Sequence, residues 1–384
     1  MNNAIEAALR SHTEKICLPY NSRHAGSEGE RAAADYIEQV FRSLGLKTLR
    51  EEYPVRGWKF RSESFENTTR GCKVPVFITN YFSGSCDATG PIFIFDEEIP
   101  EDVDLSGRIC FSHSLAGSPR VYNAIAEELE RRGAAAVIFL SEGHCQSAPS
   151  TKVVRSTKIT KIATLSVAAE GAFFLTSHAN DTYHLKVDAE PYDTFTCNVI
   201  GRIDGTTSKK AVFGAHYDAA PLTMSAGDDC AGTSMLLETA RLFADYRGEY
   251  TLDFVAFSAE EYLEVDTDLP PGSGDYVKRH KNEDIKFFMN YDDYGCYFAE
   301  PKLAVGNDDK IPESFAMPEY IQADAGGDDK AFMKEGFLTL WLRDYKIFRV
   351  LHTALDTIET RDFPKMAVGV LECYELSRSL MESM

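Results

Sequence analysis

The sequence predicts an α/β protein, a mixed central sheet flanked by helices, with a β-rich domain inserted into it. Three patterns carry this reading. After Asn198, short apolar runs alternate with amphipathic helical stretches. The first fifty residues hold one clear helix. From about Trp58 to Tyr192, short strand-like runs are broken by Gly, Pro, Ser and Asp. At 384 residues the chain exceeds one ordinary domain, and the patterns divide it into a discontinuous unit, 1–57 with 193–384, and an insertion, 58–192.

In the N-terminal part, Ala33, Ile37, Val40, Phe41 and Leu44 repeat at helical spacing. Ser27 followed by Glu30 has the form of a capping box, and Gly45 supplies the stop. The insertion carries β-rich runs such as Val76–Thr79 and Ile92–Phe95. A helix from about Arg120 to Arg132 interrupts them, followed by Gly133 and a strand-like run to Leu140. Beyond Asn198, Ala211–Ala215 reads as a buried strand. A helix follows from about Gly232 to Tyr246, with Leu236, Leu237, Ala240 and Phe243 on one face, and then a second buried strand over Thr251–Ser258. Strand–helix–strand alternation implies a mixed or parallel sheet covered by helices, and such sheets collect their sites at the carboxyl ends of the strands.

Composition narrows the partners. Hydrophobic residues make up 44% of the chain, enough for a substantial core. Forty basic against sixty acidic residues give a net charge of −20, which argues against nucleic acid and anionic membranes and favours cationic ligands. Much of such charge ordinarily serves solubility alone. No basic start followed by an apolar run is visible, and no stretch approaches ~20 apolar residues. With nine dispersed cysteines, this reads as a cytoplasmic protein with reduced, buried thiols. A mature secreted form and a homo-oligomer stay open.

Five candidate metal-binding spots stand at strand ends or in the loops after them: His216, Asp228 of the pair Asp228–Asp229, the pair Glu260–Glu261, Asp292 and His352. Two imidazoles with several carboxylates suit zinc, and also cobalt or manganese. A carboxylate has two oxygens and can bridge two ions, and a second, free carboxylate can move a proton. Taken singly, a lone His is more often packed or solvated, and Glu pairs usually lie on solvated helix faces. Here the Glu pair follows an apolar strand.

The ordered combination resembles the co-catalytic di-zinc aminopeptidases of the M-twenty-eight metallopeptidase family. Its pattern is a His-x-Asp strand end, an Asp-Asp pair, a Glu-Glu pair, an Asn-x-Asp loop and a late His. They stand here as Gly214–Asp218, Gly227–Asp229, Glu260–Glu261, Asn290–Asp292 and His352, and Arg23–Ser27 looks like the family's N-terminal start. The resemblance implies a phosphorylase/hydrolase-like sheet and two Zn2+. His216 and Asp292 would hold one ion, Glu261 and His352 the other, with Asp228 between them. Glu260 would be general base and acid toward a water activated by both metals, and Asp218 would orient His216. It also implies a cis peptide at Asp228–Asp229 and a peptide substrate with a free N-terminus. The insertion resembles a protease-associated domain, through Leu105–Phe111, the Glu-rich helix and Gly133–Ile138.

Departures from the pattern bear on the substrate. Leu351 replaces the Tyr that often precedes the last ligand, which makes Tyr345 a candidate carbonyl-polarising group. Asp293 replaces a hydrophobic residue after the Asn-x-Asp ligand and is expected to favour basic or polar first residues. Gly327-Asp328-Asp329 lacks the His of the family's Ser-Asp-His, and the loop after Glu261 is enlarged through Glu264, Asp266 and Asp268. Cys230, next to the Asp pair, reads as an inert core thiol rather than an oxidation-sensitive one. The alternatives are a carboxypeptidase or dipeptidase with the same metal set, a glutaminyl cyclase, and a non-catalytic binding relative. The first would need a basic cluster to grip a carboxylate.

Overall fold

The computed structural model describes residues 2–19, 22–96, 98–113, 119–141, 161–262, 269–323, 326–345 and 350–384. Glu264, Asp266 and Asp268 lie outside them. The strands are β1 (Lys47–Asn67), β2 (Cys72–Lys73), β3 (Phe77–Thr79), β4 (Cys86–Gly90), β5 (Ile92–Phe95), β6 (Ile109–Ser112), β7 (Ala136–Leu140), β8 (Ala163–Val167), β9 (Tyr183–Ile203), β10 (Lys209–His216), β11 (Thr251–Phe257), β12 (Asp284–Tyr291), β13 (Glu300–Gly306), β14 (Ile321–Gln322) and β15 (Leu338–Tyr345). The helices are α1 (Asn2–Cys17), α2 (Glu28–Ser43), α3 (Pro119–Arg131), α4 (Ala169–Ser177), α5 (Ala231–Phe243), α6 (Pro271–His280), α7 (Asp329–Lys334) and α8 (Phe363–Ser383).

The main sheet runs β14-β13-β15-β12-β10-β11-β9-β1-β2, with β4 also paired to β9. Its centre, β15, β12, β10 and β11, is parallel, flanked by antiparallel β13 and β9. These central strands are near-continuous apolar runs because both faces are covered. Ala211, Phe213, Ala215, Leu252, Phe254 and Ala256 join the core beneath α1, α2, α5 and α8, while Val212, Val255 and Phe257 face α6 and α7. Each such buried Phe or Leu contributes roughly 1.5–3 kcal/mol. Since β10 pairs with β11 on one side and β12 on the other, all three open their carboxyl ends onto one crevice.

The N-terminal region differs from the sequence reading, which found one helix there: α1 precedes α2. Its apolar stripe is sparse, Ile5, Leu9, Ile16 and Cys17, with Thr13 filling the remaining buried place by bonding the Leu9 carbonyl (2.9 Å). Polar neighbours at Glu6, Arg10 and Glu14 dilute the periodicity. In α2, Ser27 accepts the Glu30 N–H, but the Glu30 carboxylate turns inward to the Gly26 N–H (2.7 Å).

A second sheet, β3-β8-β7-β6-β5, lies within the span 58–192. The strands β1 and β9 are twenty-one residues each, pair from Lys47↔Arg202 to Asn67↔Tyr183 with one irregularity between Phe60 and Ser62, and run unbroken through residues 57–58 and 192–193. One face of the second sheet packs against α3; the other shares a core with Trp58, Phe65, Tyr183 and Leu185 from the ribbon, and with Ala259 and Tyr262. Phe82 meets the Tyr262 ring edge-on at 5.2 Å, and the Arg56 N–H donates to the Tyr262 hydroxyl (3.1 Å). The segment bearing Glu260 and Glu261 is thereby tied to this second core. Among the described cysteines, Cys72 is exposed and Cys86 half-buried, so the thiols are not uniformly interior.

At the far end of the sheet from the crevice, the fully buried Asp253 accepts from Arg202 (2.6 and 2.7 Å), Lys210 (2.8 Å) and the Tyr276 hydroxyl (2.8 Å). Burial pushes its carboxyl up, but the two cations outweigh it and hold it below the usual range. Its contribution to stability is therefore complete above the unfolded value of ~3.9 and is lost as pH falls through the depressed folded value. Asp253→Ala removes the carboxylate that pairs with Arg202 and leaves Lys210 with Glu283 alone, and is expected to cost about 3–5 kcal/mol of unfolding free energy in denaturant titration, with metal content unchanged. A loss below ~1 kcal/mol would show that the network is not a stabilising one.

Candidate metal centre

The crevice gathers polar residues from four connections. His216 closes β10, its carbonyl accepting from Thr233 Oγ1 of α5 (2.7 Å). Asp228 lies in the turn Ala226–Cys230 that leads into α5, Glu260 and Glu261 follow β11, Asp292 follows β12, and His352 lies between β15 and α8.

Two triads of ligand atoms result, each within 4.8 Å: His216, Asp228 and Asp292, and Asp228, Glu261 and His352. Asp228 belongs to both. Its Oδ1 lies 3.0 Å from His216 Nε2 and its Oδ2 2.9 Å from His352 Nε2. Asp292 Oδ1 stands 3.7 Å from His216 Nε2, and Glu261 Oε1 3.1 Å from His352 Nε2. One carboxylate thus offers each oxygen to a different imidazole.

Asp218 supports this from behind. Its Oδ1 lies 3.4 Å from His216 Nδ1 and accepts the Glu260 N–H (3.1 Å), while its Oδ2 accepts the Glu261 N–H (3.2 Å). It holds the paired glutamates by their backbone and stands next to the ring.

The turn bearing Asp228 has a cis peptide at Asp228–Asp229. Residues that the sequence reading did not assign hold it. Asp356 accepts the N–H groups of Gly227 (2.8 Å) and Asp228 (3.2 Å), and Arg361 stands 3.6 Å from Asp356. A side chain at Gly227 would sit 2.1 Å from the Arg361 guanidinium, so glycine is required there. From the other side Arg23, fully buried, donates to the carbonyls of Tyr217 (3.3 Å), Met224 (2.8 Å) and Ser225 (3.2 Å). Left-handed backbone recurs at Ser225 (φ 48°), Ala259 (59°), Asp293 (56°) and His352 (58°), the clustering of unfavourable φ values typical of functional sites.

The charge balance is lopsided. Burial pushes Glu261 up to about 7, reinforced by Asp228, and raises Glu260 well above the usual range, with Glu261, Asp292 and Asp328 adding to it. Burial would lower His216, but Asp218, Asp228 and Asp292 outweigh it and raise it far above an ordinary imidazole. Carboxylates so close and so dry call for positive charge among them. Two imidazoles and three carboxylates in two triads are a donor set that fits divalent zinc, cobalt or manganese.

The remaining site candidates are placed as follows. Asp293 flanks Asp292, its backbone carbonyl accepting the Asp344 N–H (2.9 Å). Tyr345 lies at the end of β15, 39% exposed, its ring 5.8 Å from Arg343. Leu351 is half-buried beside His352. A side chain at Gly327 would come 3.1 Å from both Glu260 Oε1 and Asp292 Oδ2, so this glycine keeps the approach to both open. Cys230 is fully buried, and burial pushes its thiol up, as an inert core residue requires.

The sheet, the crevice and the two triads define a candidate metal centre. Residues 198–368 match the family model described as Peptidase family M28. The aminopeptidase YwaD of Bacillus subtilis (strain 168) is 27% identical over 278 residues, which cover 69% of this chain and 56% of that protein. The chain thus spans little more than half the length of that relative. Among solved structures, a peptidase M28 precursor from Shewanella amazonensis superimposes with a TM-score of 0.78 at 20% identity, over 99% of this chain and 95% of that one. BSAP, a zinc aminopeptidase from Bacillus subtilis, gives 0.77 at 20% identity, over 98% and 94%. At these identities the structural likenesses establish the fold: a mixed sheet flanked by helices. No helix among the described residues is long and apolar enough to cross a membrane.

Proposed function

We propose that the protein is a zinc-dependent aminopeptidase that removes the first residue of peptides. One observation carries the reading: the two triads share Asp228, and Glu260, adjacent to a ligand and outside both triads, is left free to move a proton. His216 and Asp292 would hold one divalent ion, Glu261 and His352 the other, and Asp228 would bridge them. When bound, such a pair supplies Lewis acidity toward a peptide carbonyl and brings a water's pKa to ~7.

The chain's residues do the rest. Glu260 takes a proton from the attacking water and returns it to the departing amine. Asp218 keeps Glu260, Glu261 and the His216 ring in register. Gly327 leaves the substrate a path between Glu260 and Asp292. The surrounding carboxylates and the net charge of −20 favour a protonated N-terminus. The B. subtilis relatives, one named an aminopeptidase and the other a zinc aminopeptidase, support the same activity. The span 58–192 would be a protease-associated domain that limits substrate size from its seat on Tyr262.

Amino-acid anilides, free and N-acetylated, assayed with stripped and zinc-reconstituted protein, test this. Zinc-dependent cleavage of the free-amine substrates alone is the expected result. Equal cleavage of the acetylated forms, or turnover without metal, would overturn it.

A further inference from the structure

We propose that Glu30 is a positioning residue for the reaction: its carboxylate grips the Ser258 hydroxyl and thereby fixes the turn that delivers Glu260 to the crevice. This rests on the aminopeptidase reading. Glu30 stands in the first turn of α2, 1% exposed. Its Oε2 accepts the Gly26 N–H (2.7 Å), and its Oε1 accepts the hydroxyls of Thr196 and Ser258. Those two hydroxyls lie 2.8 Å apart. Capping of α2 accounts for the Gly26 bond alone; the other oxygen reaches across to β9 and to the end of β11. A carboxylate so buried is costly unless its oxygens are met, and three donors converge on this one. A glutamine in its place would turn an NH2 group toward at least one of them.

Ser258 is the first residue beyond β11 and is fully buried. Each of its polar groups is held from another element. Glu30 of α2 takes the hydroxyl, Asn198 Oδ1 of β9 accepts the N–H (3.4 Å), and the Tyr53 hydroxyl of β1 donates to the carbonyl (2.8 Å). A side chain at Gly272 would lie 2.1 Å from that carbonyl oxygen, so α6 closes a further side. Ala259 follows with a left-handed φ of 59°, a backbone that a residue with a side chain keeps only where its surroundings over-determine it. Beyond it, Asp218 accepts the N–H groups of Glu260 (3.1 Å) and Glu261 (3.2 Å). The turn is thus pinned by Ser258 before it and by Asp218 after it.

Glu30 belongs to neither triad, so its loss is felt in the placement of Glu260 and not in the donor set. A displacement of ~1 Å at the reacting groups can cost about a hundredfold in rate.

The test uses the zinc-reconstituted full chain as wild type, Glu30→Gln, Ser258→Ala, the double variant and Asp253→Ala, on a free-amine anilide. Metal content, kcat, KM and amide hydrogen exchange over residues 258–262 are measured in each. Asp253→Ala loosens the same strand, β11, from within and controls for lost stability. The expected result is a fall in kcat of at least about tenfold in both single variants, with KM within about twofold and metal content unchanged. The double variant falls no more than about twofold further, because Glu30 acts through Ser258, and Asp253→Ala keeps kcat within about twofold of wild type. Wild-type kcat in either single variant, losses that multiply in the double variant, or an equal loss in Asp253→Ala overturns the proposal while leaving the aminopeptidase reading intact. If Glu30→Gln does not fold, Ser258→Ala against Asp253→Ala decides. If the wild type cleaves no anilide, that reading fails and hydrogen exchange decides. Faster exchange of the Glu260 and Glu261 amides in Ser258→Ala than in Asp253→Ala upholds the hold on the turn, and equal exchange overturns it.

Discussion

Glu260→Gln is expected to lower kcat by about a hundredfold to ten-thousandfold while the protein keeps its full metal content. The substitution is isosteric and removes the ability to take and return a proton. It leaves the two triads untouched, because Glu260 belongs to neither. The backbone N–H that Asp218 holds is also retained, so Glu261 stays in place. KM is expected to change little, since the lost interaction belongs to the transition state. Activity within about tenfold of wild type would show that another group moves the proton. Metal loss in the variant would instead place Glu260 among the ligands.

Asp228→Ala is expected to abolish turnover and to drop bound metal below one ion per chain. Asp228 is the residue shared by both triads, with one oxygen 3.0 Å from His216 Nε2 and the other 2.9 Å from His352 Nε2. Removing it leaves each triad with two donors. It also leaves two imidazoles facing an acidic pocket without the carboxylate between them. His352→Ala strips one triad only and is expected to lose one ion and keep the other. Metal analysis of both variants separates the cases: equal losses would mean that Asp228 does not bridge.

How legible this was in the sequence depends on how local each signal is. The central strands could be read because both faces are buried, so Ala211–Ala215 appears as an uninterrupted run and Thr251–Phe257 as an apolar one broken by Asp253. The ligands could be located because parallel strands deliver their carboxyl ends to one crevice, and His216, Glu261 and Asp292 each follow such a strand. What escaped depends on partners far along the chain. Glu30 reads as a capping residue, yet its carboxylate is buried against Thr196 and Ser258, and burial pushes it up to about 7. Asp356 carries no periodic signature, and its role exists only because the turn at Gly227–Asp228 folds back onto it. Helix α1 was hidden because its buried stripe is only Ile5, Leu9, Ile16, Cys17 and a threonine. The ribbon of β1 and β9 shows why a composition change is a weak marker of a boundary. The pairing continues through Trp58 and Tyr192 even as the surrounding pattern shifts.

The central claim is that two ions act as a unit across Asp228, and stoichiometric reconstitution tests it most directly. Chelator-stripped protein is titrated with zinc while bound metal and hydrolysis of a free-amine anilide are followed in the same samples. The expected result is two ions bound per chain, no turnover in the stripped protein, and full turnover only as the second equivalent binds. Full activity in the stripped protein, or binding that stops at one ion, would contradict the account.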